Sequence, residues 1–196
     1  MKPLLILLSA MLLSPVLQAQ PAKTKQGPEL LPAFSTASSL KENFSCYGGP
    51  FESYDAWVDY VSRNPKFNAA AFERRFPRKV IEQRQQQIDC RIFVYESDGV
   101  LVEGVMLQPR VISPSKLPVV IYNRGGNAEF GTWNYPAIQA LLMPLAEQNY
   151  IIIASQYRGA ASLPTGVKPR PLADQFGGDD VNDIKNLLPI IDGMAN

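Results

Sequence analysis

The chain has 196 residues, enough for one ordinary domain or a small domain plus part of another. With 46% hydrophobic and 19% charged residues it has a globular composition, and a formal net charge of +1 provides no field that would draw nucleic acid or an acidic membrane. It contains no histidine, which removes the commonest general base and the commonest metal ligand.

In chain order, residues 1–19 carry Lys2, an apolar run from Leu4 to Leu13, the helix breaker Pro15 and the small Ala19. A positive end, a short apolar centre and a small residue before the cut are the layout of a secretory signal peptide. The run is too short for a comfortable membrane-spanning helix, so an exported, periplasmic or secreted protein without a stable membrane anchor is expected. Export permits a disulfide, and Cys46 and Cys90 either form that one bond or pack as two small apolar thiols. Without histidine they make a poor zinc site, and no metal is expected.

Residues 20–50 hold Pro21, Pro28, Pro32 and Gly48-Gly49-Pro50 without apolar periodicity, and read as an irregular lead-in. A helical extension is predicted over 51–87. Phe51, Tyr54, Trp57, Val58 and Val61 follow helical spacing behind the cap Ser53, and two more pieces cover Ala69–Phe76 and Pro77–Gln87. Such helices either flank a sheet or form a lid over a cleft. From Ile88 the period is two. Ile88–Glu96 and Val100–Gln108 flank Asp98-Gly99, a hairpin signal. Leu117–Tyr122 and Tyr150–Ser155 are continuous apolar runs of the kind found in strands buried on both faces, with a helix between them over Asn134–Gln148 kinked at Pro144. A last helix, Gly177–Ile191, presents Val181, Ile184, Leu187, Leu188 and Ile191 on one face. Strand, helix, strand, helix after an antiparallel hairpin predicts an α/β fold with a mostly parallel sheet. No strand follows the last helix, so this pattern predicts an exposed apolar sheet edge, open to pairing.

Two loops could carry chemistry. Arg124, Gly125, Gly126 and Asn127 follow the first buried strand. Paired glycines there let backbone N–H groups approach a ligand, as in an oxyanion hole, or simply turn the chain out of the strand. The spacing is not that of a dinucleotide fingerprint, and no cofactor is expected. The second loop, Tyr157-Arg158-Gly159, is followed by the segment holding Asp174, Asp179 and Asp180, and Arg158 either meets a substrate carboxylate or, as is expected, forms a structural ion pair with one of these aspartates.

"IIIASQYRGA" followed by "DQFGGDDVNDIKNLLPIID", behind a Gly-Gly loop, resembles the front of the catalytic domain of the prolyl oligopeptidase family, serine peptidases on the α/β-hydrolase fold. The resemblance covers residues 88–196. It implies an incomplete α/β-hydrolase sheet, a peptide or ester substrate for the complete parent enzyme, and a nucleophile strand beginning directly after Asn196. The chain departs from the family at Arg124, where a His or Tyr is common, and at Asn127. No serine has a glycine two residues before it, so no G-x-S-x-G elbow is present, and with no histidine the triad cannot be built. The expectation is the N-terminal part of an exported serine hydrolase, inactive alone. A non-catalytic partner module and a fragment of an esterase are the alternatives.

Overall fold

The computed structural model describes residues 30–110, 116–126, 130–160, 163, 165 and 177–194. The signal segment, Asn127 and Asp174 lie outside them. Among the described residues a five-stranded sheet runs in the order β1-β2-β3-β5-β4, with β1 Leu40–Ser45, β2 Ile88–Ser97, β3 Val100–Pro109, β4 Val119–Ile121 and β5 Ile151–Ser155. The three pairs β1·β2, β2·β3 and β3·β5 are antiparallel, and β4·β5 is parallel. The predicted hairpin is therefore in place. Asp98 and Gly99 at its tip both have positive φ, 49° and 76°, which is what a tight two-residue turn between right-twisted strands requires.

Alternation on the strands splits the interior into two layers. Ile88, Cys90, Ile92, Val105, Leu107, Ile152 and Ala154 face one core, whereas Phe93, Tyr95, Val102, Met106 and Ile153 face the other. The first layer is covered by α1 (Tyr54–Ser62), α3 (Arg78–Gln87) and a composite helix after β4, with α2 (Ala69–Arg75) between α1 and α3. Ser53 caps α1 by accepting from the Ala56 N–H at 3.1 Å, and α1 buries Tyr54 and Trp57. Trp57 and Ile81 of the extension thus belong to the same core as the sheet. The second layer is covered by α6 (Asp180–Lys185) and α7 (Leu188–Asp192).

Four expectations need correction. The lead-in is not irregular throughout, because residues 40–45 form β1. Its period-two signal is weak because it is an edge strand burying only Asn43, and pairing with β2 decides its conformation. The sheet is mixed, with one parallel pair among the described residues. The run at 117–122 supplies only the three-residue β4, which ends the sheet and is partly exposed on both faces instead of buried on both. The last helix is broken at Asn186–Leu187. Pro189 has no N–H to continue the ladder, so α7 restarts with Pro189 in its first turn, and of the predicted apolar face Leu187 is buried, with Ile190 buried beside it, while Val181 and Leu188 are exposed.

The composite helix runs from α4 (Tyr135–Ala137) through a π-helical stretch, Ile138–Leu142, to α5 (Met143–Ala146). The wider π turn ends just ahead of Pro144, whose ring would collide with an α-helical carbonyl four residues back, so the proline is accommodated by widening the turn. Opposite Phe93, Gly104 leaves room for a ring: a Cβ at Gly104 would enter the Phe93 ring itself. Gly104→Ala is therefore expected to lower stability by about 1–3 kcal/mol through overpacking. Urea denaturation checks this, and a loss below a few tenths would show that Phe93 moves freely.

Candidate functional site

The Gly-Gly loop leaves the C-terminal end of β4, beside the C-terminal end of its parallel partner β5. Tyr122, Asn123, Arg124, Gly125, Gly131 and Thr132 are among the walls of a cleft of about 420 Å³ there. Phe130, 77% exposed, and Leu141, 50% exposed, also line it. Gly126 (φ 86°) and Gly131 (φ 75°) adopt left-handed backbone that side chains disfavour. A Cβ on Gly126 would strike the Phe130 ring, and one on Gly131 would strike the Gly125 carbonyl. The glycines are thus required by close backbone approach, and they bring two loop strands together at one end of the cleft.

Arg124 is buried, 5% exposed, and works inward. Its Nε donates to the Gln156 carbonyl at 2.8 Å and its Nη1 to the Phe130 carbonyl at 2.6 Å, while the guanidinium lies 4.8 Å over the Tyr157 ring. Those contacts tie the loop after β4 to the loop after β5. Gln156 completes the tie: its side-chain oxygen accepts from Trp133 N–H at 2.7 Å, and its side-chain amide donates to the Trp133 carbonyl at 2.8 Å. Trp133 Nε1 donates to the Ser155 carbonyl at 3.1 Å. Tyr157 holds φ 63°, unusual for a bulky residue, and in that pose its hydroxyl donates to the Arg124 carbonyl at 3.3 Å. Buried polar groups of this kind are costly unless paired, and pairing makes the arrangement specific.

A second buried cluster lies under the β5 exit. Arg158 meets Asp183 of α6, with Nη2 to Oδ1 at 2.8 Å, Nε to both oxygens at 3.2 Å, and its backbone N–H to Oδ2 at 2.8 Å. Ser97 Oγ donates to Asp183 Oδ1 at 2.6 Å, and Asn186 donates to Ser97 Oγ at 2.9 Å. Asp183 holds the Arg158 guanidinium even more firmly protonated than usual. Asp98 is 3.3 Å from Arg158 Nη2, and Asp179 is 3.5 Å from Nη1. Asp180 instead accepts from Gly177 N–H at the start of α6. Beneath them the Tyr95 hydroxyl donates to the Asp183 carbonyl, and burial pushes its pKa well above the ordinary value.

Of the predicted residues, the structure brings Arg124 and Gly125 to one cleft wall, with Gly126 next along the same loop, and Arg158 and Asp179 to the network beneath β5. Asp183 and Gln156, the central acceptor and the central clamp, are additions. Each left a signal. Asp183 shares a helical face with Leu187 and Ile190, and Gln156 directly follows an apolar strand. Cys46 and Cys90 are joined by a disulfide that links the end of β1 to β2. Among the described residues no group of three or more Cys, Asp or Glu is placed to hold a metal ion, and no helix is long and apolar enough to cross a membrane.

Gln156→Leu keeps the volume and removes both bonds to Trp133. It is expected to cost about 2–4 kcal/mol, because buried backbone N–H and C=O groups lose their partners. It should also shift Trp133 emission, read in a Trp57→Phe background. Unchanged emission together with unchanged stability would mean that water replaces the clamp.

No family model and no curated protein matches the chain. Among solved structures it is similar to a cold-adapted esterase from an Arctic intertidal metagenomic library, with 21% identity, TM-score 0.31, 42% of this chain and 34% of that one covered. It is also similar to esterase Est22, with 18% identity, TM-score 0.40, 69% of this chain and 40% of that one covered. The chain thus spans well under half the length of either, and neither likeness is close enough to support an argument.

Proposed function

We propose that the chain is the N-terminal part of the catalytic unit of an exported serine hydrolase of prolyl oligopeptidase type, supplying the oxyanion side of the site without its nucleophile. The observation that carries this reading is the place of the loop that begins at Arg124 and Gly125, at the C-terminal end of a parallel strand pair and, at those two residues, on the wall of a cleft. Ligands of open α/β sheets bind outside that end of the strands. There the amides of Gly125 and Gly126 are the candidate donors to a developing oxyanion, and Arg124 is a positioning residue whose guanidinium anchors the loop. The chain holds no histidine and no serine with a glycine two residues before it, so nothing in it can activate a serine in the manner of this fold.

The purified chain is expected to turn over neither 4-nitrophenyl acetate nor a prolyl anilide above the buffer rate. Turnover abolished by Gly126→Val would refute the inactivity. The parentage is tested by the transcript beyond the Asn196 codon: an in-frame strand followed by G-x-S-x-G supports it, and unrelated sequence removes it. In the complete protein, the ratio of anilide to ester hydrolysis separates a peptidase from an esterase. Export is tested by the N-terminus of the mature protein, expected near residue 20.

A further inference from the structure

A second cavity, of about 290 Å³, lies between α1 and the start of the composite helix. Asn134 borders both this cavity and the Gly-Gly cleft, so the two adjoin. We propose that this cavity is a subsite for a single aromatic ring carried by a neutral small molecule, the aryl group of an ester or amide whose acyl centre reaches the neighbouring cleft. The last clause rests on the function proposed above, whereas binding of the ring does not.

Three observations support the assignment. The walls are built from rings and aliphatic side chains: Phe51 stacks on Tyr135 with centroids 4.2 Å apart and 13° between planes, and Trp57 meets Tyr135 edge-on at 4.8 Å and 88°. Flat, offset walls of this kind favour another ring over a chain of the same carbon count. Among the described residues no charged side chain lines the cavity, so a guest carboxylate or ammonium would be desolvated without compensation. The size suits one ring with a short substituent, since an apolar cavity of about 150 Å³ already takes benzene. The helical extension would on this account do more than cover the sheet, because α1 contributes Trp57, Tyr60 and Val61 to the pocket.

The test is titration of the full chain with 4-fluoroacetophenone followed by fluorine NMR, with cyclohexyl methyl ketone as the saturated competitor. The expected result is saturable binding of the aryl ketone, at least about fivefold tighter than its saturated counterpart. Val61→Phe, which fills the cavity, should weaken binding by roughly tenfold or more. Phe130→Ala, in the other cleft, should leave affinity within about twofold. Should Val61→Phe fail to fold, Tyr60→Trp at the half-exposed mouth takes its place, with the same expected direction. Absence of saturable binding below about 10 mM, equal affinity for the saturated ketone, or loss of binding on Phe130→Ala with none on cavity filling would each overturn the proposal. No hydrolysis is measured, so ring binding in a chain whose loop proves to have no acyl-transfer role would keep the pocket and remove only its assignment to a substrate.

Discussion

Asp183→Ala is expected to destabilise the fold by about 3–5 kcal/mol, because it leaves the Arg158 guanidinium buried without its carboxylate. Asp183 is fully buried, and Arg158 is 8% exposed. The carboxylate accepts from the Arg158 guanidinium, from the Arg158 backbone N–H and from Ser97 Oγ, so its loss strands donors on the strand exit and on the hairpin tip together. Asp183→Asn keeps one acceptor oxygen and should fall between alanine and wild type. The double variant Arg158→Met/Asp183→Leu removes both charges, and replacing a buried pair by apolar residues is often neutral. Here it should recover only part of the loss, since the Arg158 N–H and Ser97 Oγ still need acceptors, at about 1–3 kcal/mol for each left unpaired. Urea denaturation of the four proteins checks this. A loss under about 1 kcal/mol for Asp183→Ala would mean that Asp98 and Asp179 compensate, and that the buried pair is dispensable.

The neighbouring Asp98 gives that region its pH dependence. Hydrogen bonds from Asn182 and Asn186 hold its carboxyl below the usual carboxylate range, with Arg158 adding to the effect. A depressed folded-state pKa contributes stability that is present above the unfolded pKa and lost as pH falls through the folded one. The contribution of Asp98 should therefore be intact at neutral pH and decline only in acid.

The hairpin was legible because Asp-Gly between two alternating runs admits few other conformations, and α1 because Ser53 and the Trp57 face agree. Strand β5 was legible as a buried run because both of its faces meet a core. The opposite error at β4 has the same origin. An apolar run reports that a segment can be buried, whereas its place at the sheet edge depends on which strands pair beside it, and that is non-local. β1 was missed for a related reason, since its pairing partner lies about fifty residues away and its own side chains are mostly polar. At the loop, sequence placed Arg124 at the cleft but not the direction of its guanidinium. That direction is set by the carbonyls of Gln156 and Phe130, which come from a different strand exit and from further along the loop.

Removing the Cys46–Cys90 disulfide is expected to cost about 2–4 kcal/mol. The bond closes a sequence separation of 44 residues, for which loop-closure entropy alone corresponds to about 4 kcal/mol, and retained structure in the unfolded chain lowers the realised figure. The stabilised region can be named, because the bond sits where β1 ends and Cys46 N–H already donates to the Cys90 carbonyl at 2.9 Å. Without it, β1 keeps its ladder to β2 but loses the covalent stop at one end, so amide exchange at Phe44 and Ser45 should accelerate more than at Ile153. Both sulfurs are in buried residues, so serine replacements would add the cost of burying hydroxyls, and the double alanine variant gives the cleaner reading of the cross-link. Two signatures separate a cross-link effect from simple loss of packing. The urea m-value should rise in the double variant, since the unfolded chain becomes less compact, and a reducing agent should lower wild-type stability by a similar amount while leaving the variant unchanged. A wild type insensitive to reduction, with free thiols demonstrated, would place the stability of this corner in the β1–β2 ladder and the Trp57 core instead.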